Sequence, residues 1–415
     1  MTTMADAAAD VRDYLASHRE AETRFLAELV KVPSDNPPGD CAAHAEAAAK
    51  LLEGLGFTVE RHRVPDEIVR ANGMISCTNL VVRKRFGDGP VVALNAHGDV
   101  VPPGEGWTKD PYGAEIVDGW MYGRGVAVSK SDFATYAFAL LALEAAAAKG
   151  LRLDGTVELH LTYDEEVGGE IGPGWLLKEG ISKPDLALGA GFSYAVTTAH
   201  NGCLHLEVQV DGRSAHAAMP WTGVDALEAA THILGRLYAW RKTLAERKSD
   251  IEGIGSPQLT IGLIKGGINT NVVPDRVTFR LDRRMVPEEF SEAVEAELVQ
   301  VIEQAAGAFP EAKVTIRRIL LARPLVPLEG GRRLTELLCR HASTMMGEPV
   351  AAKGVPLYTD ARHYAEAGIP IALYGAGPHT IQEANAHRAD ERLPLDDLYK
   401  ATEVVALTLL DLLTG

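Results

Sequence analysis

The sequence predicts an α/β protein in two parts: a large domain whose mixed, mostly parallel sheet is flanked by helices, and a ferredoxin-like α+β domain inserted into it. Three observations carry this expectation. Short apolar runs, the mark of buried strands, alternate with helix-length segments through the first half of the chain. Between about Asn201 and Leu320 the hydrophobic period changes to the strict alternation of half-exposed strands. α/β alternation then resumes, so the middle part is an insertion, and the expected division is 1–200 with 321–415 against 201–320. A chain of 415 residues is long enough to bury two separate cores.

Over residues 11–55 the apolar positions recur at helical spacing, interrupted by Pro33, Pro37, Pro38 and Gly39, which read as a loop between two helices. Strands are expected at 57–64 and 79–85, and 91–95 is a continuous apolar run that leads into His97-Gly98-Asp99. A long helix is expected at 131–149, a second buried strand at 156–162 and part of a helix at 175–179. In the inserted part Leu204, Leu206, Val208 and Val210 alternate with His205, Glu207 and Gln209. A helix at 224–247, strands at 258–263 and 276–282, a helix at 288–307 and a strand at 313–319 complete a β-α-β-β-α-β order. Residues 334–346, 361–367, 369–374 and 398–413 then supply helix, helix, strand and helix.

Lys and Arg number 41 against 57 Asp and Glu, a formal charge of -16. That balance opposes a nucleic acid or an anionic membrane as partner, since both need clustered positive charge. The four cysteines, Cys41, Cys77, Cys203 and Cys339, form no Cys-x-x-Cys pair. They fit a reducing compartment, and metal ligation by cysteine is not expected. Residues 1–20 carry acidic groups early and no apolar signal core, and the apolar stretch 138–148 is interrupted by Glu144 and falls well short of the roughly 20 residues that span a bilayer. The expectation is a cytoplasmic protein.

Three polar segments lie at or beyond the ends of expected strands, where open α/β sheets place ligands. In Asn95-Ala-His97-Gly-Asp99 the His and Asp share one side of an extended chain, so the carboxylate can hold one imidazole nitrogen while the other faces a metal. In Asp164-Glu165-Glu166 the two glutamates diverge, which allows one to bind a metal and the other to act as a base. The third segment is Glu383-Ala-Asn385-Ala-His387-Arg-Ala-Asp390-Glu391. Taken alone, His-x-Asp favours a hydrogen-bonded structural histidine, and the other two segments are as compatible with a solvated acidic or surface loop as with a site.

Together these segments closely resemble the M20 metallopeptidase and amidohydrolase family. The run 94–107, Asp110-Pro111, Tyr122-Gly-Arg-Gly125, Asp164-Glu165-Glu166, Gly266-Gly267-Ile-Asn269-Thr-Asn271, Asp282-Arg-Arg284, Thr359-Asp360 and Ala386-His387 match its motifs in order. The resemblance implies that the inserted domain is a lid and dimerisation domain. It implies that His97 is a ligand of a first metal with Asp99 as its orienting partner, that Glu165 is the general base, and that Glu166 and His387 serve a second metal. In the lid, Gly212-Arg-Ser-Ala-His216 matches the segment whose histidine reaches the scissile carbonyl across a dimer. Asn271, Arg284 and Arg362 are the expected substrate contacts, Arg284 being suited to a bidentate hold on a carboxylate.

Two positions depart from the family pattern. The aspartate expected to bridge both metals aligns with Val128, and a second acidic ligand aligns with Ala190 or Gly191. Without the bridge, two cations would sit close together with little negative charge between them. One divalent transition metal per chain is therefore expected, held by His97, Glu166 and His387, with Zn, Mn and Co all acceptable. Asp132, one helical turn past Val128, is a candidate to fill the gap. The expected activity is metal-dependent hydrolysis of a C–N bond in a small carboxylate-bearing substrate by a homodimer. The alternatives are an aminohydrolase of an aromatic amine such as an aminobenzoate, and a non-catalytic binding protein.

Overall fold

The computed structural model describes residues 4–414. They divide into two compact units, one formed by the residues up to Thr198, Pro327–Lys353 and those from Thr359 onward, the other by Ala199–Val326 and Gly354–Tyr358. The short return of Gly354–Tyr358 to the second unit is not visible in the hydrophobic pattern.

The first unit is built on a sheet whose strands lie in the order Val59–Arg63, Thr78–Arg85, Thr156–Thr162, Val91–His97, Leu186–Gly189, Ile371–Leu373, Val196–His200 and Ala352–Val355. Thr156–Thr162, Val91–His97, Leu186–Gly189 and Ile371–Leu373 are mutually parallel, while the strands beside Thr78–Arg85 run antiparallel to it. Leu186–Gly189 and Val196–His200 were not expected, because strands of four and five residues carry too little periodicity to stand out. A small sheet of Arg392–Pro394, Trp120–Tyr122 and Glu115–Val117 lies apart from the large one.

The helix Lys130–Ala148 is buried on nearly all sides, and it packs against Met4–Val30, Leu395–Leu413 and the strand Val91–His97. Among the described residues it is the helix whose length and composition would suit a membrane; its apolar surface is instead taken up by the core. The first helix begins at Met4, earlier than expected, and buries Val11, Leu15, Phe25, Leu26 and Leu29 along one stripe. On that same stripe Glu22 is 1% exposed. Burial pushes its pKa up to about 8, against the hydrogen bond with Thr402 and the charge of Arg19.

Glu22 therefore keeps its proton in the folded chain at pH values where the unfolded chain has lost it, so stability falls as pH rises from the ordinary glutamate range through about 8. Glu22→Gln removes this cost. The variant should match the wild type in acid and exceed it by about 3 kcal/mol near pH 7. Urea unfolding at several pH values checks this, and a pH-independent difference would contradict it.

The second unit is a four-stranded antiparallel sheet ordered Gln258–Gly266, Arg276–Met285, Gly202–Asp211 and Lys313–Ala322. With the helices Ala226–Arg241 and Ser291–Ala306 between strands, this is the ferredoxin-like order. Leu204, Leu206, Val208 and Val210 join Val277, Phe279 and Leu281 in one core with Ile233, Leu237, Leu298 and Ile302 of the helices. The first helix starts at Ala226 because the Asp225 carboxylate accepts the amides of Leu227 at 2.8 Å and Glu228 at 3.0 Å. The second starts only at Ser291, since the Glu289 side chain is held by Arg283 and by the Val286 amide ahead of it.

Candidate active site

The parallel pairing sets His97 opposite Thr162, so the residues beyond these strand ends emerge side by side at the C-terminal edge of the sheet. There Asp99 is fully buried. Its two carboxylate oxygens accept the amides of Glu165 and Glu166, each at 3.2 Å, and one also accepts Asn36 Nδ2 at 2.9 Å. One carboxylate thus fixes the turn that carries both glutamates. The Asp99 carbonyl lies 3.0 Å from His97 Nδ1, and the carboxylate lies 3.4 Å from the same nitrogen. A ring that donates from Nδ1 presents Nε2 as a free lone pair. The Ser129 hydroxyl holds the His97 main chain, accepting its amide at 3.1 Å and donating to its carbonyl at 3.2 Å.

His97 Nε2 is 4.0 Å from Glu165 Oε2, and donor atoms of His97, Glu165 and Glu166 all lie within 4.8 Å of one another. His387 Nε2 stands 3.4 Å from the buried Glu166 Oε1, and this contact with Glu166 raises the His387 pKa above that of a free imidazole. Burial opposes charging of the His97 ring, yet Glu165, Asp99 and Glu166 outweigh it and hold its pKa well above that of a free imidazole. Burial pushes Glu165 up to about 8, with Glu166, Asp99 and Asp164 adding to it and His97 opposing. Asp360, buried with neither carboxylate oxygen hydrogen-bonded, is raised well above the carboxylate range by burial and by Glu165. An excess of buried carboxylates around one imidazole, with the unpartnered Asp360 oxygens among them, is the donor chemistry that a divalent cation satisfies. The residues present fit a divalent ion.

At the two positions where the family pattern has further acidic ligands, this chain carries none. Val128 is packed against the apolar core. At Gly191 a Cβ would come within 2.9 Å of the Tyr374 amide nitrogen, so the backbone passes too close for any side chain there. The Asp132 carboxylate accepts the Ala376 amide at 3.0 Å and the Gly191 amide, and it is not among the donors that converge on His97. Burial raises its pKa well above the usual range. The residue therefore ties the helix Lys130–Ala148 to the loop after Ile371–Leu373.

His387 lies in a turn where Asn385, His387 and Asp390 all have positive φ, at 50°, 60° and 54°. Such backbone persists only where surrounding contacts impose it. Here Asp390 accepts the Thr108 amide and hydroxyl, each at 2.9 Å. Glu391 pairs with Arg124 at 2.6 Å and accepts the amides of Ala127 and Val128 at 3.1 and 3.2 Å.

The expected role of Arg362 is corrected. Its side chain is 3% exposed, and Nη2 donates to the Gly168 carbonyl at 2.6 Å and to Glu170 at 2.8 Å. A guanidinium enclosed this way braces the turn behind Glu165 and Glu166 and is not free to hold a substrate. In the second unit His216 and Asn271 are brought together: His216 bridges to Val272, the Ala217 amide donates to the Asn271 carbonyl at 3.0 Å, and both residues are exposed. Arg284 is half-buried over the Tyr358 ring and paired with Asp282 at 2.9 Å.

Asn36, Arg124, Asp360 and Glu391 were not singled out as site residues from sequence. Thr359-Asp360 carried a motif signal; Asn36 carried none, since its approach to Asp99 is purely tertiary.

A buried histidine and two divergent glutamates, set on one carboxylate at the ends of parallel strands, define the site of a metal-dependent hydrolase. Residues 93–411 match Peptidase family M20/M25/M40, and the chain belongs to that family, as a metallohydrolase acting on carbon–nitrogen bonds. It is 28% identical over 381 residues to a succinyl-diaminopimelate desuccinylase of Wolinella succinogenes, covering 89% of this chain and 94% of the relative. It is 28% identical over 363 residues to an acetylornithine deacetylase of Myxococcus xanthus, covering 86% and 89%. In fold it resembles an M20 family metallo-carboxypeptidase from Sulfolobus solfataricus, with a TM-score of 0.77 at 18% identity over 94% of this chain and 98% of the other. Human carnosine dipeptidase 1 gives 0.72 at 18% identity, covering 98% of each.

Proposed function

We propose that this chain hydrolyses the amide of a small N-acyl amino acid with a single divalent transition ion, Zn, Mn or Co, at the centre formed by His97, Glu166 and His387. The observation that carries the reading is the convergence of His97 with Glu165 and Glu166, with His387 paired to the buried Glu166 Oε1, while Val128 and Gly191 stand where further carboxylates would be needed. When bound, the ion supplies Lewis acidity to the carbonyl and lowers the pKa of water.

Asp99 keeps His97 in the tautomer that offers Nε2 and holds the turn on which Glu165 stands. Glu165 takes the proton of the attacking water on a carboxylate oxygen and returns it to the leaving nitrogen. His216 and Asn271 hydrogen-bond the developing oxyanion, and Arg284 holds the substrate carboxylate; these three roles rest on the match to the family's motifs. The desuccinylase and deacetylase names of the relatives favour a small acyl group on an amino-acid amine.

His216 acts from a partner subunit in a homodimer formed through the second unit. In its favour, the outer strand Gln258–Gly266 is an open sheet edge carrying Leu263 and Ile264, 61% and 56% exposed, with Ile268 beyond it at 78%. A sedimentation mass of one chain would remove the dimer and with it this role for His216.

A panel of N-succinyl and N-acetyl amino acids and dipeptides, scored for released amine, tests the activity. Ammonia from aminobenzoates without any amide cleavage would overturn it. Glu166→Ala should lose one ion per chain relative to the wild type, measured by elemental analysis; loss of two would mean that the centre is dinuclear.

A further inference from the structure

The face of the second unit's sheet opposite its helices brings three unlike donor atoms together. Alternation along Gly202–Asp211 buries Leu204 and Leu206 on the helix side and sends Cys203 and His205 to the other. Register then pairs His205 with Asp282 and Cys203 with Arg284. Cys203 Sγ lies 3.2 Å from His205 Nε2 and 3.7 Å from Asp282 Oδ1, and His205 Nε2 lies 3.1 Å from Asp282 Oδ2. We propose that Cys203, His205 and Asp282 form a second divalent-metal site in this chain, taking Zn2+ or Co2+.

The geometry is close to what the ion requires. Ligand bonds of about 2.3 Å to sulfur and about 2.0–2.1 Å to nitrogen and oxygen, at tetrahedral angles, put the donors roughly 3.3–3.6 Å apart. The three distances here, 3.1 to 3.7 Å, bracket that range. Sulfur, imidazole and carboxylate together suit zinc and cobalt rather than magnesium or calcium. The His205 and Asp282 side chains are 36% and 29% exposed, which leaves a fourth position open outward to water.

Arg284 does not block the site. It donates from Nε to Asp282 Oδ1 at 2.9 Å and from Nη2 to Oδ2 at 3.1 Å, and each carboxylate oxygen has a second lone pair. The guanidinium therefore orients the carboxylate as a neighbouring group does for a metal ligand. On binding, bonds form from the ion to Sγ, Nε2 and a carboxylate oxygen. The thiol proton, and the Nε2 proton where present, pass to solvent.

The test uses the full chain, freed of metal by chelation and titrated with Co2+ while its absorption is recorded. Cobalt held only by nitrogen and oxygen, as by His97, Glu166 and His387, has no sulfur-to-metal charge-transfer band, so that near-ultraviolet band reports a thiolate ligand apart from the catalytic centre, and Cys203→Ser separates Cys203 from the free Cys41, Cys77 and Cys339. The band should appear in the wild type, persist in Glu166→Ala and vanish in Cys203→Ser. His205→Gln should weaken its titration about tenfold or more, and circular dichroism of each variant confirms that it is folded. Absence of the band in the folded wild type at saturating cobalt, or its survival in Cys203→Ser, overturns the proposal.

Discussion

Glu165→Gln is expected to lower kcat by roughly a hundred- to ten-thousandfold while leaving the protein folded and its divalent ion in place. Glutamine keeps the shape of the side chain and loses only the capacity to accept and return a proton. What ties this residue to the site is its main chain, since Asp99 accepts the Glu165 amide at 3.2 Å, and that contact does not depend on the side chain. The proposed ligands His97, Glu166 and His387 are likewise untouched. Single-turnover kinetics with elemental analysis of the same preparation separate the two effects. Near-normal kcat in the folded variant would remove Glu165 as the base, and loss of the ion would show that it is a ligand.

Arg124→Met should cost about 3–5 kcal/mol of stability, because it leaves the Glu391 charge buried without its partner. Both side chains are 1% exposed, at 2.6 Å, and Arg124 also donates to the carbonyls of Pro103 and Arg388 at 3.1 and 3.2 Å. Burial already raises the Glu391 pKa, and Arg124 and the Ala127 amide hold it down. Glu391 joins the segment before Ser129 to the turn that carries His387. Loosening it should therefore weaken ion binding as well as folding. A fall in the urea midpoint, largely recovered in Arg124→Met with Glu391→Leu, is the expected pattern. A cost below about 1 kcal/mol would place the pair among those that contribute little.

Much of the fold was legible because long, strongly periodic segments announce themselves. The alternation from Leu204 to Val210 and the apolar run at 91–95 both appear as strands in the structure, the latter within Val91–His97. The short strands were not legible, nor was the return of Gly354–Tyr358 to the second unit. At the site, the residue types of His97, Asp99, Glu165, Glu166 and His387 could be read from motifs. Their mutual distances could not, and Arg362 was misread because a guanidinium in a motif looks the same whether it faces a substrate or the Gly168 carbonyl.

The sequence by itself determined the family, the α/β and ferredoxin-like elements and the absence of acidic side chains at Val128, Ala190 and Gly191. Residue identity and hydrophobic period are local properties, and these features need nothing more. Only the tertiary structure decided that Asp132 serves the Ala376 and Gly191 amides, that Arg362 braces a turn, and that Cys203, His205 and Asp282 meet. Each depends on which backbone groups and strands are brought opposite one another, and residues far apart in the chain acquire that proximity only through strand register and packing.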